Sequence, residues 1–444
     1  MSKVRIQEIT IENYKNVRHG SIDLSNKVKG YRASVLGIYG QNGSGKTALI
    51  DALKILKLVL SGRRVFDLFI DNIHVEAKKA TFKFKFSIDE EEDHFDVWYS
   101  FDIVEEKDVD RKNIQIADEC LSFAYQGEKQ KIRKSVLIDT DTKDVFVPKS
   151  RYQDLCGKID ATDMLVNKKL SAKQSMSFIF ARETMKIFDK NCKNPIYLKI
   201  LNDLANYGKN QLFVVGTESN GLITLNTLPL PYMDDNSGHL LLPLNKPAII
   251  PSDLVSQIEK IINSMNIVLQ QIIPNLTLGV TTLGNSLMEN GQMGTQIQLI
   301  SYKTGKAIPF SNESDGIKKI VSILQLMIMV FNRPSITVAI DELDSGIYEY
   351  LLGELLMIIS EQGKGQLIFT SHNLRPLETI NHNFIAFTST DQDNRYMRFS
   401  PRRNLNLRDI YYRDIILSEE KEAYDGKDNY EIAMAFKEAG ELFE

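Results

Sequence analysis

Residues 40–47 read Gly40-Gln41-Asn42-Gly43-Ser44-Gly45-Lys46-Thr47 and fit the pattern G-x-x-x-x-G-K-[ST]. In a loop of this kind the glycines let the backbone fold back, so that successive N–H groups point at a polyphosphate. We expect the ammonium group of Lys46 to reach the β- and γ-phosphates, and the hydroxyl group of Thr47 to ligate Mg²⁺. The stretch therefore predicts a nucleotide-binding loop.

The segments on both sides of this loop favour the same interpretation. Residues 33–39 are short and apolar enough for a buried strand. Apolar residues then recur at helical spacing from Leu49 to Leu60, which places the loop at a helix N-terminus, where the dipole favours anions. The alternative, a glycine-rich turn without a ligand, explains neither flank.

Length and composition narrow the class of protein. A chain of 444 residues exceeds one ordinary core, so we expect two or three subdomains. Its 43% hydrophobic and 25% charged residues are typical of globular proteins, and a net charge of −4 neither favours nor excludes nucleic acid. Three widely spaced cysteines without a metal-ligand pattern indicate a reducing, cytoplasmic setting. We find no signal peptide and no apolar run of the roughly 20 residues that a membrane span needs.

Changes in pattern divide the chain into four predicted regions. Residues 1–149 hold the phosphate loop and, from residue 80, period-two runs typical of antiparallel strands. Residues 150–275 are predicted as a helical insertion, with helices over 175–188 and 252–273 and a long connection over 216–251. Strands return in 276–417, and 418–444 form an acidic, helix-prone tail. The insertion has a lysine-rich surface, interpreted as solvated or as a contact for nucleic acid or a partner: Lys168, Lys169, Lys173, Lys186, Lys190 and Lys193.

Two apolar strands in the second half end in polar side chains. Residues 336–340 are followed by Asp341, placed to hold Mg²⁺ or its water, and by Glu342, placed to orient and deprotonate an attacking water. The next strand, 366–370, is followed by Ser371 and His372, and we expect the imidazole of His372 to hydrogen-bond the γ-phosphate. A purely structural histidine is the alternative.

A capped helix start precedes these strands. Residues 311–316 offer hydroxyl groups and a glycine at the N-terminus of a helix predicted over 317–332, which is another element suited to anions. Taken alone, it is only a well-capped helix.

The order of these motifs resembles the ABC-type ATPase heads of the SMC, RecF and OLD (overcoming lysogenization defect) group. The phosphate loop matches the G-x-N-G-[SA]-G-K-[ST] form common there. Glu313-Ser314-Asp315-Gly316 resembles the signature motif, Asp344-Ser345-Gly346 the D-loop and Thr370-Ser371-His372 the H-loop. The resemblance covers about residues 1–149 and 276–390. It implies an α/β P-loop NTPase fold: an ABC-ATPase head with an antiparallel β subdomain and a helical insertion.

The resemblance also implies ATP and Mg²⁺ as ligands and two heads face to face. Each ATP would lie between the phosphate loop of one copy and the signature motif of the other. Ser314 and Gly316 would then act in trans, and Asp344 would join the nucleotide-binding residues.

The chain departs from the group in three ways. No glutamine lies between Gln41 and Gln115, so Gln115 is the candidate for the Q-loop glutamine. The long coiled coil of SMC proteins is absent. We also expect no OLD-type nuclease domain, because only about 70 residues follow His372. Asp391-Gln392-Asp393 resembles the acidic pair of a Toprim nuclease, but we interpret it as a surface loop because no domain-sized context surrounds it.

Compact heads without a nuclease resemble the AAA_15/AAA_21-type ATPases of bacterial anti-phage operons, such as the ATPase component of the PARIS system. This resemblance implies a homo-oligomeric ATPase that controls a separate effector, such as a Toprim-type nuclease, and responds to a phage-encoded trigger. The alternatives are a RecF-like DNA-binding repair ATPase, an OLD-like nuclease using Asp391 and Asp393, and a small-molecule kinase.

Overall fold

The computed structural model describes residues 2–26, 32–108, 111–128, 130–216, 223–224, 227–232, 238–288, 291–389, 391–398, 407–411 and 429–441. Its strands are β1 (Lys3–Tyr14), β2 (Val17–Asp23), β3 (Ser34–Tyr39), β4 (Lys79–Glu90), β5 (Asp93–Asp108), β6 (Arg111–Gln126), β7 (Lys131–Asp139), β8 (Leu212–Gly216), β9 (Ile223–Thr224), β10 (Thr227–Tyr232), β11 (Gly238–Pro243), β12 (Ala248–Pro251), β13 (Leu276–Leu287), β14 (Met293–Lys303), β15 (Lys306–Pro309), β16 (Thr337–Ile340), β17 (Gln366–Thr370), β18 (Ile385–Thr388) and β19 (Tyr396–Met397). Its helices are α1 (Lys46–Leu60), α2 (Lys149–Cys156), α3 (Ala161–Lys173), α4 (Arg182–Asn191), α5 (Pro195–Asn206), α6 (Val255–Ile272), α7 (Asp315–Asn332), α8 (Glu349–Gln362), α9 (Pro376–Thr379), α10 (Leu407–Ile410) and α11 (Asn429–Glu441).

A central sheet carries the phosphate loop. Its strand order is β19-β18-β3-β17-β16-β8-β9, and every pair except β18–β19 is parallel. All residues of β3, β16 and β17 are buried, as expected for strands covered on both faces. Because β17 lies between β3 and β16, the segments that follow these three strands meet at one edge of the sheet.

The two faces of this sheet belong to different cores. Leu36 and Ile38 of β3 pack in the core that contains α1 and the first antiparallel sheet. Val35 and Tyr39 pack in the core that contains α7 and α8. Side chains that alternate along β3 therefore point into two different cores, one on each face of the central sheet. The fold is the mixed α/β arrangement that the sequence predicts.

The predicted antiparallel subdomain is a six-stranded sheet with the order β2-β1-β4-β5-β6-β7. Phe82, Phe84 and Phe86 of β4 are buried on its inner face, whereas Lys83 and Lys85 face outward with at least partial exposure. The acidic residues 89–93 lie at the β4–β5 turn, where Glu90 pairs with Asp93.

The region predicted as a helical insertion contains strands as well as helices. Helices α2 to α5 agree with the prediction, but β8 pairs in parallel with β16 and so extends the central sheet. Strands β10 and β11 pair with each other inside the stretch interpreted as a connection. The five residues of β8 are all buried. A short apolar run of this kind fits a strand or the end of a helix equally well from sequence alone, and its pairing with β16 makes it a strand. The domain boundaries at 149, 275 and 417 stay predictions.

Two helices begin later than the sequence predicts. The helix expected over 175–188 is α4, which starts only at Arg182. The segment before it is bound by the buried carboxylate of Glu119, which accepts the N–H groups of Phe178 at 2.7 Å and Ile179 at 3.4 Å. These N–H groups therefore do not begin a helix. The helix expected over 252–273 is α6, which starts at Val255. The hydroxyl group of Ser252 instead hydrogen-bonds Oγ1 of Thr295 at 2.8 Å.

The described part of the acidic tail is α11, and all its residues from 433 to 439 are exposed. Residues 418–428 lie outside the described ranges. Among the helices of the described ranges, none combines the length and hydropathy that crossing a bilayer requires.

Candidate nucleotide-binding site

A cavity of about 340 Å³ lies at the edge of the central sheet where β3, β16 and β17 end. Four parts of the chain line it: the β1–β2 turn, the phosphate loop with the start of α1, and the residues after β16 and at the end of β17. The lining residues are Lys15, Asn16, Asn42, Gly43, Gly45, Lys46, Thr47, Ala48, Asp341, Glu342, Thr370 and His372.

The glycines of the phosphate loop satisfy steric requirements of its backbone. Gly43 and Gly45 have φ angles of 78° and 98°, which residues with a Cβ rarely adopt. A Cβ at Gly40 would lie 1.9 Å from Oγ1 of Thr388, so β18 excludes any side chain there. Ser44 does not line the cavity; its hydroxyl donates to the carbonyl oxygen of Gln41 at 2.7 Å and so closes the loop.

Lys46 is held by the loop that precedes it. Its Nζ donates to the carbonyl oxygens of Gly40 and Gln41, both at 2.7 Å. Burial lowers the pKa of Lys46, although the nearby carboxylates of Asp341 and Glu342 oppose that shift. The ammonium group therefore lies at the cavity wall beside carbonyl groups that a phosphate can replace as acceptors.

The two carboxylates after β16 are fixed by a hydroxyl group of the neighbouring strand. Oγ1 of Thr370 donates to Oδ1 of Asp341 at 2.6 Å and accepts the N–H of Glu342 at 2.8 Å. Nζ of Lys319 donates to the carbonyl oxygen of Glu342 at 2.5 Å. These bonds hold Glu342 at a φ of 50°, a strained conformation for a residue with a side chain. The strained turn brings the exposed Glu342 carboxylate to the cavity.

The donor set fits Mg²⁺ bound together with a nucleotide. Thr47 and Asp341 line the same cavity and offer a hydroxyl and a carboxylate oxygen, the ligand type this ion prefers. Within the described ranges no group of three or more His, Cys, Asp or Glu side chains could hold a metal alone.

The predicted D-loop and H-loop are in direct contact. Oδ2 of Asp344 accepts the N–H groups of His372 at 3.1 Å and Asn373 at 3.0 Å. His372 is exposed and lines the cavity, whereas Asp344 does not. In the single chain Asp344 therefore positions the H-loop backbone.

The predicted signature residues lie outside this cavity. Ser314 caps α7, accepting the N–H of Ile317 at 3.4 Å, as the sequence predicts, and it is exposed. Gly316 packs against the D-loop, since a Cβ there would lie 2.6 Å from the carbonyl oxygen of Gly346. The signature motif is thus adjacent to the D-loop and accessible to another molecule.

Sequence reasoning missed two residues that shape the site, Lys15 and Lys319, and the role of a third, Thr370, which it named only as part of the H-loop. Lys15 lines the cavity from the β1–β2 turn, and its Nζ forms an ion pair with the buried Asp51. Thr370 and Lys319 fix the two carboxylates, as described above. The only sequence signal for Lys15 is that it is a lysine in a turn between two strands. Such lysines are too common for the sequence to identify this one as a site residue. The hydroxyl and ammonium contacts depend on tertiary geometry.

Two further candidate groups lie away from the cavity. Gln115, the candidate for the Q-loop, pairs with Val104 inside the antiparallel sheet and does not line the cavity. Asp391 and Asp393 are exposed in a bend where the N–H of Asp393 donates to Oδ1 of Asp391 at 2.9 Å. This placement agrees with a surface loop.

Residues 5–375 match the family described as the AAA ATPase domain (AAA_15). The chain belongs to this family. A comparison with curated proteins finds no match.

Similar solved structures include SMC and RecF proteins. An SMC head bound to the C-terminal winged-helix domain of ScpA has 14% identity and a TM-score of 0.43, with 90% of this chain and 98% of that chain covered. The SMC head domain from Thermotoga maritima has 14% identity and a TM-score of 0.38, with 89% and 100% covered. The recombination mediator RecF with ATPrS has 14% identity and a TM-score of 0.39, with 90% and 99% covered.

Proposed function

We propose that the chain binds Mg-ATP in this cavity and hydrolyses it, and that ATP joins two copies into a dimer that controls a separate effector. The observation that carries the proposal is the convergence of Lys46, Thr47, Asp341, Glu342 and His372 on one cavity. These residues come from three distant segments of the chain, and together they supply the contacts that phosphoryl transfer to water requires.

The phosphate loop would bind the triphosphate. Its N–H groups and the N-terminus of α1 attract the phosphate oxygens, and Lys46 leaves the carbonyl groups of Gly40 and Gln41 to bind them. Thr47 and Asp341 would hold Mg²⁺, which neutralises charge on the phosphates when bound. Burial of Lys46 strengthens its attraction to these oxygens, because less water screens it.

Glu342 would act as the general base. Its carboxylate lines the cavity and would take a proton from the attacking water as the water oxygen bonds to the γ-phosphorus and the bond to the bridging oxygen breaks. His372 would hydrogen-bond the γ-phosphate. Thr370 and Lys319 hold the turn on which the base sits, so they act on positioning.

A second copy would complete the site. Ser314 and Asp315, at the start of α7, are exposed beside the D-loop and lie outside the cavity of their own chain. A helix N-terminus with a hydroxyl group suits a phosphate group presented by another molecule. Hydrolysis would then weaken the contact between copies because the shared γ-phosphate is lost.

The cellular role that we propose for the ATPase is control of an effector in anti-phage defence, with a nuclease as the effector and a phage product as the trigger. The sequence resemblance to compact ATPases of anti-phage operons supports this role. Co-purification with the products of neighbouring genes tests it. We expect Lys46→Ala and Glu342→Gln to change partner binding and protection of cells against phage. Unchanged binding and protection in both variants would refute effector control.

ATP hydrolysis is tested by phosphate release from the purified chain with Mg²⁺. Lys46→Ala should lose ATP binding, whereas Glu342→Gln should bind ATP but lose turnover by at least about a hundredfold. Lys190→Ala and Glu361→Gln, both exposed and outside the cavity lining, are the matched controls and should retain activity. Equal turnover in Glu342→Gln and wild type would exclude Glu342 as the base.

A further inference from the structure

Helix α3 presents an apolar stripe between lysines on the surface of the insertion. Val166 and Leu170 lie one turn apart and are 50% and 49% exposed. Lys169 and Lys173 are exposed on the same side. The opposite side faces the core, where Met164 is buried. Two exposed aliphatic side chains framed by cations form a surface that an acidic, apolar element fits.

Helix α11 has the complementary character. Phe436 is 77% exposed, and every residue from 433 to 439 is exposed. Ala433, Phe436 and Ala439 are spaced three residues apart and share one side of the helix, where the small alanines allow a close approach. A helix of 13 residues is marginally stable in water unless its apolar side is covered.

The charges of the two helices are opposite. α3 contains three lysines and one aspartate, whereas α11 contains three glutamates and one lysine. The whole tail, 418–444, has nine acidic residues and three lysines, a net charge of −6. The chain carries −4 in total, so residues 1–417 carry +2. Electrostatic attraction therefore favours contact between the tail and the rest of a chain.

We propose that α11 of one copy docks along α3 of a second copy, with Phe436 between Val166 and Leu170. Both helices have 13 residues, so each is roughly 20 Å long and the two match along their length. Within one chain both apolar sides remain exposed, which favours a second copy as the occupant. The contact joins two different surfaces, α11 of one copy and α3 of the next. Copies that associate in this way form either a closed ring or an open filament.

Sedimentation equilibrium of the full chain without nucleotide tests this contact. We expect the mass to rise above 50.6 kDa with protein concentration, and high salt to weaken the association. Leu170→Asp and Phe436→Asp should each weaken it at least about tenfold. Ile267→Asp, at a residue 71% exposed on α6, is the matched control. A constant monomer mass, or equal weakening by the control, would overturn the proposal.

Cysteine cross-linking distinguishes a second copy from the same chain. A mixture of Leu170→Cys and Phe436→Cys chains should form a disulfide-linked pair on oxidation, and a mixture of Ile267→Cys and Phe436→Cys chains should not. A cross-link that forms only within a chain carrying both substitutions would overturn docking between copies.

The proposal is independent of ATP-driven dimerisation, and the two can fail separately. With ATP, Glu342→Gln should form species larger than a dimer, and adding Phe436→Asp should leave a dimer. A dimer in both cases, with no cross-link between Leu170→Cys and Phe436→Cys chains, overturns the α3–α11 contact alone. Absence of any ATP-dependent change overturns the nucleotide-driven dimer alone.

Discussion

At the scale of single residues, the strained turn at Glu342 depends on two neighbours that hydrogen-bond its backbone. Lys319 bonds its carbonyl oxygen and Thr370 its N–H group. We expect Lys319→Met and Thr370→Val to lower kcat by about tenfold to a hundredfold, because the carboxylate loses its position, with little change in ATP affinity. Phosphate release and equilibrium nucleotide binding measure the two effects.

The control for this prediction is Lys190→Met, at an exposed lysine of α4 that does not line the cavity, and it should matter little for turnover. Weaker ATP binding with unchanged kcat in Lys319→Met would contradict a positioning role.

Lys15 is expected to exchange one anionic partner for another when ATP binds. Its Nζ lies 2.5 Å from Oδ2 of Asp51 at the cavity wall. Lys15→Met should raise the Kd for ATP about tenfold or more, the value of one charge-assisted hydrogen bond. Lys54→Met removes the other cation near Asp51, at 3.4 Å, without touching the cavity. Equal losses of ATP affinity in both variants would mean that the loss comes from the changed surroundings of Asp51 and not from a direct contact between Lys15 and the nucleotide.

Lys57 gives the stability a defined pH dependence. Burial lowers its pKa to about 7 from 10.5, and its Nζ donates to the carbonyl oxygens of Gly208 and Leu212. Between these two values the unfolded chain binds more protons at this site than the folded chain, so folding becomes more favourable as the pH rises.

We therefore expect the urea midpoint of the wild type, relative to Lys57→Met, to increase from about pH 7 to about pH 9. Lys190→Met, at an exposed lysine of α4, should show no such difference. A midpoint difference independent of pH would mean that Lys57 keeps an ordinary pKa.

At the scale of elements, one buried carboxylate joins the insertion to the antiparallel sheet. Glu119 of β6 accepts the O–H of Tyr99 at 2.6 Å, the O–H of Ser177 and the N–H of Phe178. In Glu119→Gln an amide group would face these donors, so we expect a loss of about 2–4 kcal/mol in the free energy of unfolding. Urea unfolding measures it, with the exposed Glu183→Gln on α4 as the control.

Faster amide exchange in residues 175–181 should accompany this loss, since the carboxylate anchors that segment to β6. A loss of stability without faster exchange there would argue against the anchor.

Some elements of the site were predictable from the sequence and others were not. β17 has the predicted bounds, and β3 and β16 lie within the predicted strands, because apolar runs that end in polar residues mark buried parallel strands. β8 was missed because its short apolar run forms a strand only through pairing with β16, which the local sequence does not indicate. The start of α4 was missed because a carboxylate distant in sequence takes the N–H groups that would begin the helix.

At the scale of the whole molecule, the separation between Ser314 and the cavity makes a specific prediction about two copies. If the signature acts in trans, Lys46→Ala and Ser314→Arg disable opposite halves of each composite site. Each variant alone should be inactive. A mixed dimer keeps one intact site, so an equal mixture that assorts at random should recover about a quarter of wild-type phosphate release.

The matched control is a mixture of Lys46→Ala and Glu342→Gln chains. Both residues line the cavity of one copy, so a mixed dimer has a defect in each of its two sites and should stay inactive. Recovery in the first mixture but not in the second requires that one copy completes the site of another. Wild-type turnover by Ser314→Arg chains alone would mean that each cavity works within its own chain. The exposed N-terminus of α7 would then serve only as a cap.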